Sequence, residues 1–144
     1  MERPAQQTTL FDRSIPLVLL FAFLLHSAEE AVTYGTFRPA SQALLRSIFS
    51  PAYTAPTVTE FHVALALVSI FAAVLMLWAW GNAPRRAARN LQRVLAWIML
   101  ANVLIPHIPA AVLMGGYAPG VLTAMLVNLP AAGWALIRMR QQPS

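Results

Sequence analysis

Four stretches of this chain are long and apolar enough to rule out a water-soluble domain of its size. The second runs from Val63 to Trp78 without one charged side chain. About 20 such residues cross the ~30 Å hydrocarbon core of a bilayer. The pattern predicts a single all-α membrane domain, a bundle of four transmembrane helices at about 14–34, 60–80, 91–114 and 119–137. Charge argues the same way. Only 10% of the 144 residues are charged and 58% are hydrophobic, whereas a soluble domain carries roughly 25% charged residues.

The first span opens with the apolar run Ile15 to Leu25, and its Pro16 falls in the first turn, where no amide is needed. Trp78, Trp80, Trp97 and Trp134 fall toward span ends, where indole rings favour the headgroup region. The connection 35–59 is rich in Pro, Ser and Thr, and its segment Ala40 to Phe49 reads as an amphipathic piece lying on the membrane surface. Residues 81–90 form a short Arg-rich loop, and 115–118 a tight turn. A secretory signal peptide also combines basic residues with a short apolar run. Here the apolar run is followed by His26, Glu29, Glu30 and then Ala31-Val32, with no clean cleavage site, so we expect a retained span.

With four spans, both termini and the 81–90 loop share one side. That side holds Arg3, Arg13, Arg85, Arg86, Arg89, Arg93, Arg138 and Arg140, and the other only Arg38 and Arg46. The positive-inside bias puts both termini in the cytoplasm, and we expect a bacterial plasma membrane. All ten basic residues are Arg, set between apolar stretches, which reads as membrane anchoring and not as a nucleic-acid surface. The absence of Cys excludes disulfides and thiolate chemistry.

Of five acidic residues, Glu29 and Glu30 lie inside the first span. A charge at a helix centre costs roughly 2.5–3.5 kcal/mol on insertion scales. Two adjacent carboxylates cost more unless they are protonated, paired or bound to a cation. Positions three and four after His26 flank it on one helix face, so His26-Ser-Ala-Glu29-Glu30 presents an imidazole and two carboxylates together. At ~1.5 Å per residue, His26 and the glutamates, His107 and Asn128 all fall between the midplane and the outer face, and Asn102 lies nearest the midplane. Matching depth on several helices predicts one shared interior pocket. In Pro106-His107-Ile108-Pro109 the two prolines leave the Asn102 and Ile105 carbonyls without helical partners, and such broken backbone is tolerated where it faces protein or a cavity.

Plainer readings compete at each position. Glu60 fits a capping box, Thr57-Val-Thr-Glu60. His62 lies one turn from water and reads equally as an interfacial residue. Asn102 and Asn128 can serve as interhelical hydrogen-bond glue. If a substrate enters, Asn102, Asn128, His62 and Glu60 are the positioning candidates. The glutamate pair can also belong to a buried structural network or reach up to the outer surface.

The motif His26-Ser-Ala-Glu29-Glu30 resembles that of the HXXEE domain-containing proteins, small polytopic membrane proteins of about this length. The resemblance extends to Asn102 and His107 on the third span, to Tyr117-Ala-Pro-Gly120 before the fourth, and to Asn128-Leu-Pro130 within it. It covers about residues 14–137, and it implies a polar intramembrane site without implying a particular reaction.

The leading expectation is a membrane-embedded enzyme acting on a lipid or other apolar small molecule. In its metal-dependent form, a hydrolase, His26, His107 and Glu30 hold a divalent metal, zinc first, while Glu29 acts on water. In its metal-free form Glu29 and Glu30 move protons. The sequence matches neither H-E-x-x-H nor H-x-x-E-H, since Glu30 stands where the latter has its second His. A proton-coupled carrier and a purely structural subunit are the alternatives.

Overall fold

The computed structural model describes residues 14–141; Arg3 and Arg13, used in the orientation argument, lie outside the described residues. Four long helices follow one another: α1 Ser14–Ile48, α2 Val58–Gly81, α3 Arg85–Leu113 and α4 Val121–Gln141. Each is long and apolar enough to cross a membrane, and no strand occurs among the described residues.

One core cluster draws on all four helices. Ile15, Leu19 and Leu20 of α1 pack with Met76 of α2, Leu95, Ala96 and Met99 of α3, and Ala132, Ala135 and Met139 of α4. Residues in the first half of α1 and α3 thus meet residues in the second half of α2 and α4, so successive helices run in alternating directions. Ala96, Ala132 and Ala135 are fully buried, and small side chains let helix backbones approach without a solvent-driven hydrophobic effect. The outward faces carry large apolar groups instead. Phe21, Ile105 and Leu126 are 68%, 72% and 73% exposed, a surface suited to lipid.

Helix α1 differs from expectation. In place of a boundary near Tyr34 and a separate surface piece, it continues through Pro39 to Ile48, 35 residues in all. Its length is ~52 Å at 1.5 Å per residue, so it outruns a ~30 Å hydrocarbon core by about 20 Å. Ala, Leu and Arg, which dominate 40–48, are strong helix formers, and the returning chain holds the extension in place. Arg38 donates from Nε to the Pro56 carbonyl (2.7 Å) and from Nη2 to that of Ala55 (3.0 Å). Tyr34 Oη donates to the same Pro56 oxygen at 2.8 Å, and Arg46 Nε to the Tyr53 carbonyl at 2.9 Å.

Helices α3 and α4 each contain a five-residue π-helical segment, Val103–His107 and Ala124–Asn128. His107 and Asn128 end these segments, and each is followed after one residue by proline, Pro109 and Pro130. A helical proline brings no amide and crowds the carbonyl four residues back. The wider turn answers this: the Ile108 amide bonds the Val103 carbonyl, and the Leu129 amide that of Ala124. The break expected at Pro106-His107 is therefore a π segment, of a kind that recurs at functional sites.

Candidate metal and substrate site

Helix α1 supplies three site groups, His26, Glu29 and Glu30, and the first and last are about one turn apart. His26 is buried, and Glu30, four residues on, brings Oε1 to 3.7 Å from His26 Nε2. The π segment of α3 points His107 at the same carboxylate, with Nε2 3.6 Å from Oε1. The imidazoles meet edge-on, with ring centroids 4.7 Å apart. One ligand atom from each of His26, Glu30 and His107 can lie within 4.8 Å of the others.

Asn102 joins the two imidazoles. Its Nδ2 stands 3.1 Å from His26 Nε2 and 3.0 Å from His107 Nε2. An amide nitrogen carries two hydrogens and no free acceptor, so each imidazole receives one hydrogen at Nε2. His26 can be assigned from its other side as well. Thr123 Oγ1 lies 2.5 Å from Glu29 Oε2 and 3.0 Å from His26 Nδ1. An ionised carboxylate only accepts, so the single Thr123 hydroxyl hydrogen goes to Glu29 and the oxygen accepts from His26 Nδ1–H. Neutral His26 then has its lone pair on Nε2. The Asn102 hydrogen likewise calls for a lone pair on His107 Nε2.

Glu29 faces a different task. Its Oε1 accepts from Tyr117 Oη (2.6 Å) and the Leu122 amide (3.3 Å), and its Oε2 accepts from the Thr123 amide (2.7 Å) as well as its hydroxyl. Leu122 and Thr123 lie in the first turn of α4, whose amides have no partner within the helix. The residue in the N-cap position is Gly120, which has no side chain to offer. Glu29 therefore caps α4 from a neighbouring helix, where a negative charge also meets the positive end of the helix dipole. Burial and the bond to Glu29 hold the Tyr117 phenol above its usual range, so it remains the donor. The adjacent glutamates thus have separate solutions, one wrapped in four donors and one facing two imidazoles.

Gly120 closes the site. Its φ is +81°, a left-handed conformation, and a Cβ there would lie 2.7 Å from Glu30 Cγ, 2.7 Å from His26 Cε1 and 2.8 Å from His107 Cε1. Only glycine fits both the turn and the packing. On its other side the cluster borders a cavity of about 300 Å³, whose polar end is formed by His26, Glu30, Asn102 and Asn128. Asn128 is 1% exposed, and neither atom of its amide has a partner. A buried amide left in this state costs roughly 1–3 kcal/mol.

The structure brings His26, Glu30, His107 and Asn102 together, with Asn128 on the same cavity wall. Glu29 is adjacent but turned into the α4 cap. Glu60 sits apart, in a reciprocal capping box with Thr57: the Thr57 amide donates to Glu60 Oε2 at 2.7 Å, and the Glu60 amide to Thr57 Oγ1 at 3.2 Å. His62 is exposed and bonds the Ala31 carbonyl through Nε2 at 2.8 Å, tying α2 to α1. The expected glue role of Asn128 finds no partner. Thr123 was not singled out in the sequence. Its signal is a hydroxyl residue three positions after Gly120, in the opening turn of a helix.

A family model described as a protein of unknown function with HXXEE motif matches residues 17–135. The chain belongs to the HXXEE family. It is 28% identical over 126 residues to the uncharacterized protein YrkK of Bacillus subtilis (strain 168), covering 83% of this chain and 70% of that one. No solved structure matches. The HXXEE motif gains a division of labour from the geometry: the His and the second Glu face the cavity side, and the first Glu builds the helix terminus that packs against them.

Proposed function

We propose that this HXXEE protein is a membrane-embedded, metal-dependent enzyme, a hydrolase acting on a lipid or other apolar small molecule. The observation that carries the proposal is the convergence of His26 Nε2, His107 Nε2 and Glu30 Oε1. Both imidazole lone pairs face the Asn102 amide, and Thr123 holds the His26 ring from its far side. Metal-binding His residues are oriented in this way. Two His and one carboxylate leave a coordination position open, and zinc held there would supply Lewis-acid polarisation of a carbonyl and activation of water.

The other residues take roles set by their contacts. Asn102 now donates to the lone pairs an ion would occupy; rotating its amide presents Oδ1 in place of nitrogen. Glu29 acts through Thr123, holding His26 in one tautomer. Glu30 is the carboxylate left to face ligand and substrate. The arginines of α3 and α4 orient the chain in a bacterial plasma membrane with both termini cytoplasmic.

The test is elemental analysis of protein purified gently in detergent and then titrated with zinc. About one equivalent should remain after desalting. His26→Ala and Glu30→Gln should lose it, and Ser27→Ala should keep it. Wild-type protein that retains no transition metal after titration would defeat the proposal. A second reading has its own support: the hydrogen-bond chain His26, Thr123, Glu29, Tyr117 is a path along which a proton-coupled carrier could pass protons. Metal-free protein that acidifies or alkalises a vesicle lumen on addition of solute would favour it.

A further inference from the structure

Two cavities lie along one face of α2. Phe61, Ala64, Leu65 and Val68 line the one that reaches His26 and Glu30. Thr57, Glu60, Phe61 and Ala64 line a second, nearer the start of the helix and bounded by residues 53–56. These positions recur every three or four residues, so they form one stripe, and the cavities adjoin at Phe61 and Ala64. Phe61 is held in place by stacking on Tyr34, with ring centroids 3.7 Å apart. Val68 and Ile98 are each 54% exposed on the outward faces of α2 and α3, so the inner cavity opens toward lipid.

The stripe changes character along its length. Among the described residues Glu60 is the only charged side chain lining the outer cavity. Its Oε2 takes both bonds from Thr57, and no described donor bonds Oε1. Arg38 adjoins the same end, where Nε and Nη2 donate to the Pro56 and Ala55 carbonyls of the lining. A guanidinium has five N–H groups, so others are left over. The inner end is apolar until it meets Glu30. The bond from His62 to the Ala31 carbonyl sets those two residues level. Glu60 therefore stands about 5 Å outward of Glu30, three helical residues at ~1.5 Å each.

We infer that this stripe of α2 seats a zwitterionic phospholipid with a primary-ammonium head group, drawn from the leaflet that faces the start of α2. Its ammonium pairs with Glu60, its phosphate turns toward Arg38, and one acyl chain follows Phe61, Leu65 and Val68. Each part meets its complement: opposite charges at the watery end, hydrocarbon along the apolar wall. An anionic head group without the ammonium brings nothing to Glu60, and a diacylglycerol answers neither charge. The ester of such a lipid lies a few bonds below the phosphate, in the direction of Glu30. The inference deepens the hydrolase reading by naming the substrate class, and rests on that reading only for turnover. Binding needs the groove alone.

The experiment is native mass spectrometry of the full chain, stripped of metal by chelator so that failure of the zinc proposal does not affect it. The protein is mixed in detergent with equimolar phosphatidylethanolamine, phosphatidylglycerol and diacylglycerol of matched acyl chains. One phosphatidylethanolamine per chain should stay bound, about fivefold over either competitor, the range of a charge pair at an exposed end. Glu60→Gln should erase that preference while Tm and zinc stoichiometry hold, since glutamine still closes the capping box. Ala64→Leu, at an exposed position where the cavities adjoin, should lower retention of all three lipids. Leu126→Phe, on the outward face of α4, should lower none and reports lipid held without a site. Equal retention of phosphatidylglycerol by wild type would overturn the inference. So would a preference that survives Glu60→Gln, or wild-type protein that retains no lipid. Hydrolysis is read separately after zinc loading: phosphatidylethanolamine that is bound but left intact upholds the binding and defeats the hydrolase reading.

Discussion

The ring of His26 meets the ring of His107 edge-on, with the two planes 89° apart. This crossing sends both Nε2 atoms toward one carboxylate oxygen and one amide nitrogen instead of stacking the rings. It depends on two helices arriving at the same depth with different backbone geometry, regular in α1 and π-helical in α3.

Gly120→Ala should damage the site without touching any polar group. A left-handed conformation costs a residue with Cβ roughly 1–2 kcal/mol, and overpacking adds about 1–3 kcal/mol. We expect a clear fall in Tm and loss of bound zinc. A variant with wild-type Tm and zinc content would show that the close approach at Gly120 is relieved at little cost.

Thr123→Val and Thr123→Ser separate shape from hydrogen bonding. Valine removes the acceptor for His26 and the hydroxyl donor to Glu29; serine retains both. Losing such a supporting contact should weaken zinc about 10–100-fold, with the serine variant close to wild type. Competition with a chromophoric chelator measures it, and equal affinities for all three proteins would remove Thr123 from the site.

Glu29→Gln and Glu30→Gln should fail in opposite ways. A glutamine at 29 cannot accept at both ends from the α4 terminus, and losing charged hydrogen bonds there costs roughly 1.5–3 kcal/mol. Its Tm should fall while zinc still binds. At 30 the change removes a ligand and one costly carboxylate, so zinc is lost while Tm holds or rises. Thermal melts in metal-free buffer, paired with elemental analysis, test this. Matching behaviour of the two variants would contradict the division between cap and ligand.

Single cysteines added to this Cys-free chain give its orientation directly. A cysteine at position 144 or in the 82–84 turn between α2 and α3 should be protected from an impermeant maleimide in intact cells, and one at Ser50 should react. Labelling at 144 from outside would reverse the assignment drawn from the arginines.

Much of this was legible in the sequence because lipid leaves few solutions. An uncharged run such as Val63 to Trp78 makes a helix long and apolar enough to span a membrane, and a helical His26 with Glu30 one turn later shares a face with it. His107 was legible through its prolines. Other features were hidden for physical reasons. Glu29 and Glu30 look equivalent in sequence, and only the placement of the α4 terminus makes one of them a cap. The extension of α1 beyond Tyr34 depends on Arg38 and Arg46 finding carbonyls in the returning chain, a tertiary effect that local propensity does not reveal. The π segment in α4 follows the same polar-x-Pro pattern as that in α3, but Asn128-Leu-Pro130 read as ordinary helix because only one proline marks it.

The packing at Gly120 has a genetic consequence. From any glycine codon, every other amino acid reachable by one base change brings a Cβ, and here a Cβ meets His26, Glu30 and His107 at once. Position 120 is therefore closed to stepwise drift while these three side chains keep their places. In a randomly mutagenised library it should behave like a catalytic position although it carries no chemistry of its own, and a second-site suppressor of a change there should map to one of the three side chains it crowds.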